Sequence, residues 1–109
     1  MINNSYDEVF RALVNILRQV APLKVTGPIS PETSLAEDLN FDSLDTVDLL
    51  LHINEYFSIN IDFEKWILQE SQREGKPYTV KSLCDFIIET ITMKMNTDEK
   101  SVKSKDKHR

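Results

Sequence analysis

The stretch Leu39-Asn40-Phe41-Asp42-Ser43-Leu44-Asp45-Thr46-Val47-Asp48-Leu49-Leu50-Leu51 decides how this chain folds. Asp42 is a residue type that caps helix N-termini, so a helix is predicted from Ser43 to about Phe57. An acidic residue there also suits the positive end of the helix dipole. At about 100° per residue, Asp45, Asp48, His52 and Glu55 fall in one sector next to Asp42. Leu44, Val47, Leu50, Leu51, Ile53 and Phe57 fill the remainder. The helix is therefore expected to be acidic on one side and apolar on the other, with a serine hydroxyl at its mouth.

Working outward, Ser5-Tyr6-Asp7-Glu8 has the spacing of a capping box, and Val9, Phe10, Leu13, Val14, Leu17 and Val20 recur at helical intervals until Pro22. From Ala21 to Phe41 that period is lost. Gly27-Pro28 and Ser30-Pro31 mark a long connection, anchored by Val25, Ile29, Leu35 and Leu39. Beyond Ile59-Asn60-Ile61, the residues Phe63, Trp66, Ile67 and Glu70 stand at amphipathic spacing, in a helix from Asp62 that ends around Glu74-Gly75-Lys76-Pro77. Thr79 caps a last helix whose Val80, Leu83, Phe86, Ile87 and Ile91 face inward. The expected fold class is all-α. It is a small four-helix bundle with a long loop after the first helix and an extended region between the second and last helices.

A chain of 109 residues makes one domain with a modest core. Its 13 Lys+Arg against 18 Asp+Glu give a net charge of −5, unevenly spread. The segment Lys94 to Arg109 holds six basic and three acidic residues, leaving seven basic and fifteen acidic residues in 1–93. Residues 1–93 are thus read as the folded domain, and 94–109 as a basic tail for which disorder is the default. A strongly acidic body argues against nucleic acid and favours partners with basic patches. The N-terminus has no secretory pattern, and no run approaches the roughly 18 apolar residues of a membrane span, so the expected location is cytoplasmic, without stable membrane insertion. Cys84 is the only cysteine, which excludes an internal disulfide and leaves no thiolate cluster for a metal. It reads as a small buried residue on a helix.

The run from Leu39 to Leu49 resembles the prosthetic-group site of the acyl carrier protein family. Pro31-Glu32-Thr33-Ser34-Leu35-Ala36-Glu37-Asp38-Leu39 resembles that family's approach to the serine, and Asn54-Glu55-Tyr56-Phe57-Ser58-Ile59-Asn60-Ile61 its exit from the helix. The resemblance implies that Ser43 carries 4′-phosphopantetheine, with acyl groups held as thioesters on the thiol of that arm. Partner recognition would then fall to Asp42, Leu44, Asp45, Val47, Asp48 and Glu55. It also implies a phosphopantetheinyl transferase and acyl-chain synthesising and acyltransferase enzymes as partners, to a monomeric carrier. Asn40 stands where many carriers have glycine, and Asn54 where many have glutamate.

A narrower resemblance involves Ile59-Asn60-Ile61-Asp62-Phe63-Glu64-Lys65-Trp66, Glu74-Gly75-Lys76 and Val80-Lys81-Ser82-Leu83-Cys84. These residues are similar to specialised rhizobial carriers of very-long-chain acyl groups destined for lipid A. The bland reading of Trp66 is a core helix with an aromatic anchor.

Other functional classes fit less well. An enzyme with Ser43 as nucleophile and His52 as base would need two side chains nine helical positions, about 13 Å, apart to meet. Asn40-Phe41-Asp42-Ser43-Leu44 also lacks the glycines of a nucleophile elbow. Asp42 is an N-cap under any function, and Asp45, Asp48 and Glu55 could be a solvated face. Leu44 and Val47 could be core or could flank the arm. A discrete polyketide or peptide carrier and an unmodified helical interaction module remain as alternatives.

Overall fold

The computed structural model describes residues 6–107, with side chains described as far as Lys94. Four helices follow one another: α1 (Tyr6–Val20), α2 (Ser43–Phe57), α3 (Phe63–Ser71) and α4 (Val80–Lys107). The all-α expectation holds, with each helix beginning close to where the sequence placed its start, while α3 ends at Ser71, before Glu74, and α4 runs on past residue 94. The Ser5 cap lies outside the described residues.

Helix α1 buries Val9, Ala12, Leu13, Ile16 and Leu17, a stripe at the helical period, and ends where Pro22 can no longer supply an N–H. The connection from Ala21 to Phe41 sends Val25, Leu35 and Leu39 into the core. Arg18 follows it from α1, donating through Nη1 to the Gly27 carbonyl at 3.2 Å and the Val25 carbonyl at 3.4 Å.

This long connection is stitched to the one between α3 and α4. Ser34 and Thr79 form an isolated antiparallel bridge, and the Leu35 N–H donates to the Tyr78 carbonyl at 2.8 Å. The Val80 and Lys81 N–H groups, orphaned at the start of α4, donate to the carbonyls of Thr33 and Pro31, each at 2.9 Å. Ser34 is fully buried and satisfied, with its hydroxyl donating to the Pro77 carbonyl at 2.9 Å and accepting the Glu37 N–H at 3.1 Å. A Lys76–Asp38 ion pair at 2.5 Å closes the outside of the seam.

Helix α3 has Asp62 as its N-cap, accepting the Lys65 N–H at 3.2 Å. It buries Trp66 completely, so the aromatic-anchor reading describes where this side chain sits. The indole lies between Phe63 and Tyr78, with ring centroids 5.3 and 5.6 Å away, and its N–H donates to the Ser82 hydroxyl at 3.0 Å. Glu70, at the fourth place of the apolar stripe, is also buried. Its carboxylate accepts from the Ser82 hydroxyl at 2.6 Å, the Tyr78 N–H at 2.7 Å and Arg73 Nε at 3.1 Å. A charge inside a small bundle is tolerable because its oxygens are filled by donors.

Helix α4 turns Val80, Leu83, Cys84, Phe86 and Ile87 inward, with Ile91 half-buried. The Thr79 hydroxyl accepts the Ser82 N–H at 3.2 Å, as a cap at that position should. Burial pushes the Cys84 thiol up to about 12, so it packs as a small apolar side chain. The α4 backbone continues to Lys107, across the boundary at residue 94 that composition suggests.

In α2 the apolar sector divides. Leu49 and Ile53 are fully buried, and Leu50 and Phe57 are half-buried. Leu44, Val47 and Leu51 are exposed. The sequence reading placed Leu44, Val47 and Leu51 on the same apolar side as Ile53 and left out Leu49, because helical angle alone does not say which part of a broad greasy sector meets neighbours. Leu49→Ala should therefore cost about 2–5 kcal/mol in urea unfolding, whereas Leu51→Ala should stay within about 0.5 kcal/mol of wild type.

Candidate functional site

The site is the start of α2. Asn40 adopts a left-handed backbone, φ 60°, which an asparagine tolerates better than most residues and which turns the chain sharply before the helix. The Phe41 N–H donates to the Leu35 carbonyl at 2.9 Å, tying this corner to the core. Asp42 is then extended, and its carboxylate accepts the Asp45 N–H at 2.9 Å while Asp45 accepts the Asp42 N–H at 3.1 Å. This reciprocal capping box satisfies two otherwise orphaned donors. The Thr46 hydroxyl adds a bond to the Asp42 carbonyl at 2.8 Å.

Ser43 is consequently the first residue of α2. It is exposed, and its hydroxyl takes no partner among the described residues. A capped helix start thus presents a free primary alcohol, the nucleophile that covalent attachment to a phosphate requires. Beyond Ser43 along the same helix Leu44 (75 % exposed), Val47 and Leu51 are exposed, as are Asp48 and Glu55.

The acidic sector expected from the sequence is divided. Asp45 is half-buried, and Lys24 reaches it from the α1–α2 connection at 2.5 Å. The same Nζ lies 3.9 Å from Asp42 and donates to the Asn40 carbonyl at 3.1 Å. The Lys24 hydrogen bond holds the Asp45 carboxyl below the usual range, helped by the Asp42 N–H and opposed by desolvation. Asp45 is therefore engaged inside the molecule, while Asp48 and Glu55 face outward. His52 is exposed and donates through Nδ1 to the Asp48 carbonyl at 2.8 Å, within its own helix. Nine residues after Ser43, it points half a turn away, so the two form no catalytic pair.

At the other end of α2, Asn54 accepts the Ile61 N–H on its side-chain oxygen at 3.0 Å, and its carbonyl accepts the Ile59 N–H at 3.1 Å. These two bonds fasten the exit from α2 around Ser58, which is left-handed at φ 56°.

Between α2, α3 and the two stitched connections opens a cleft of about 110 Å³, lined by Leu35, Ala36, Phe41, Thr46, Ile67 and Tyr78. Thr46 is three residues after Ser43, so the mostly apolar cleft lies about a turn from the hydroxyl. A larger open groove of about 520 Å³ lies beside Ser58, at the far end of α2, with Ile59, Phe86 and Met93 between polar side chains. Lys24 and the cleft-lining Thr46 and Tyr78 escaped the sequence reading, and no local pattern marks them; Ile67 is a residue that the sequence reading places on the α3 stripe. Among the described residues no His, Cys, Asp and Glu cluster has the arrangement of a metal site, and no helix is long and apolar enough to cross a membrane.

Residues 11–70, over half of the chain, match the family model described as the phosphopantetheine attachment site. The chain is 39% identical over 80 residues to an acyl carrier protein of Thermosynechococcus vestitus, covering 73% of this chain and 84% of that protein. It is 35% identical over 71 residues to the acyl carrier protein AcpXL of Brucella melitensis, covering 61% of this chain and 74% of the relative. The AcpXL of Rhizobium etli is 39% identical over 61 residues, 51% of this chain and 64% of that protein.

Replacing Lys24 with Met should raise the Asp45 carboxyl back toward its ordinary value, measurable by NMR titration of the side-chain carboxyls. Because the folded value is depressed, the contribution of this pair is present above the ordinary carboxylate range and is lost as the pH falls through the folded value. The Lys24→Met protein should therefore lose less of its stability on acidification than wild type.

Proposed function

The chain belongs to the acyl carrier family built around the phosphopantetheine attachment site, and on that premise we propose that Ser43 is the attachment point for covalent 4′-phosphopantetheine. Members of this family are carriers, not enzymes. The observation that carries the assignment is the exposed Ser43 hydroxyl, without a partner among the described residues, on a capped helix inside the matched span and about a turn from a mostly apolar cleft. When bound, the arm supplies the thiol that holds acyl groups as thioesters. The protein's own part is to keep the serine accessible, fix its direction and offer apolar shelter beside it. Mass spectrometry after incubation with coenzyme A and a broad phosphopantetheinyl transferase should detect one arm on wild type and on Ser58→Gly. Ser43→Ala should gain none; modification at another residue would overturn the assignment.

Recognition is ascribed to the surface around that serine. Asp48 and Glu55 supply exposed charge for basic patches on the transferase, the acyl-chain synthesising enzymes and the acyltransferases, while Leu44 and Val47 supply apolar contact. Asp42 and Asp45 contribute chiefly by holding the serine in position, since both belong to the cap. Exposed charges of this kind act on encounter and orientation, and salt screens them over about 8 Å. Asp48→Asn with Glu55→Gln should thus slow arm loading several-fold at low salt, with less effect at high salt and unchanged helicity. A rate equal to wild type at every salt concentration would make the pair a solvated face only.

The pathway reading is lipid biosynthesis, with very-long-chain acyl groups of lipid A as the finer version. It is supported by the relatives named AcpXL and by an α3 that carries Phe63, Trp66 and Ile67. A discrete polyketide or peptide carrier is the alternative. We further take the carrier domain to be residues 1–93 with 94–109 as a basic appendage, and the protein to act as a cytoplasmic monomer.

A further inference from the structure

We infer that Glu70 is a positioning residue that sets the length of acyl chain the cleft accepts, acting through Tyr78. The inference rests on the carrier reading of Ser43. Tyr78 combines three properties. It is one of the residues that line the cleft near the start of α2. Its ring meets that of Trp66 edge-on, with centroids 5.6 Å apart. Its backbone is left-handed at φ 57°, a conformation that a bulky aromatic residue adopts only when its surroundings impose it.

What imposes it is visible. The Tyr78 N–H donates to buried Glu70 at 2.7 Å, and its carbonyl accepts the Leu35 N–H at 2.8 Å. Glu70 in turn is fixed by the Ser82 hydroxyl at 2.6 Å, and Ser82 also receives the Trp66 N–H at 3.0 Å. One carboxylate on α3 thereby fixes the strained residue before α4 and, through Ser82, the indole behind it. This lining residue is held on both sides of its backbone, and its ring rests edge-on against a fully buried indole. A short acyl group fits in the space available, whereas a longer one must displace Tyr78, and Glu70 resists that displacement. Glu70 is not itself among the residues that line the cleft, and it meets that lining through the Tyr78 N–H.

The test loads Ser43 with butyryl, octanoyl, dodecanoyl and palmitoyl forms of the arm, using the matching acyl-coenzyme A and a transferase, with loading checked by mass. The gain in melting temperature over the unacylated arm is then recorded for each chain. In wild type the gain should rise with chain length and level off. In Glu70→Ala the levelling point should move to longer chains, with a smaller gain for butyryl, while Glu70→Gln, which keeps a carbonyl acceptor for the Tyr78 N–H, should stay close to wild type. Tyr78→Gly, which adopts a positive φ without strain and removes the wall, should move the levelling point in the same direction. It keeps the question answerable if Glu70→Ala does not fold. Where Glu70→Ala folds, adding it to Tyr78→Gly should move the point no further. A lower melting temperature in Glu70→Ala with the levelling point unchanged, or an unchanged point in Tyr78→Gly, would overturn the inference and leave the carrier reading standing. Failure of wild type to gain any arm would overturn the carrier reading and the inference with it.

Discussion

The reciprocal cap between Asp42 and Asp45 is the constraint on which the site depends. A helix of 15 residues is marginal by itself in water, and α2 contributes only two fully buried side chains, Leu49 and Ile53, to the core. Its first turn therefore needs local bonds. The cap supplies two of them, Thr46 a third, and Lys24 joins the pair to the preceding connection. A cap of this kind stabilises by about 1 kcal/mol, modest in total but concentrated at the residues either side of Ser43. Without it the start of α2 would fray, and the direction of the serine would be lost before the fold was.

The same economy governs the opposite side of the cleft. Two connections without regular structure would leave many backbone groups unpaired if each ran alone over the surface. Here they pair with one another, through the Ser34–Thr79 bridge and the bonds from Leu35, Val80 and Lys81. Buried Ser34 and Glu70 hold the seam from within, and the Asp38–Lys76 pair closes it outside. The cleft wall is thus set by polar bonds, while its surface is mostly apolar. Helix α3, only nine residues long, is held in place by large side chains and by the Glu70 contacts.

Much of this was legible in the sequence, for identifiable reasons. Helices α1 and α2 announced themselves because cap residues and apolar period coincide at the same boundaries, and Asp62 and Thr79 did the same for α3 and α4. What escaped was everything that depends on segments far apart in the chain. Lys24 stands in an unpatterned loop, and nothing local says that it meets Asp45. Glu70 sits at a stripe position where a hydrophobic residue is the norm, so its place was read correctly and its chemistry was not. Tyr78 gives no local signal of a left-handed backbone, since that conformation is imposed by the carboxylate eight residues earlier. The exposure of Leu51 was likewise out of reach, and Leu44 and Val47 stood open between core and surface, because burial depends on neighbours rather than on helical angle.

Helix α2 illustrates why those exposed leucines and valine are not a defect of packing. Three demands meet on one short element: an apolar edge must hold it to the core, its start must be rigid, and the surface beside Ser43 must remain available. Leu49 and Ile53 serve the first and the Asp42–Asp45–Lys24 group the second. Leu44, Val47 and Leu51, with Asp48 and Glu55, are what is left over for the third. Burying them would have strengthened the bundle by roughly 1.5–3 kcal/mol each and covered the surface around the serine. On the carrier reading, transient contact with several enzymes is the function, so stability is forgone where contact has to be made. Rigidity is concentrated instead in Asp45 and Glu70, two carboxylates that hold the serine and the cleft wall from opposite sides.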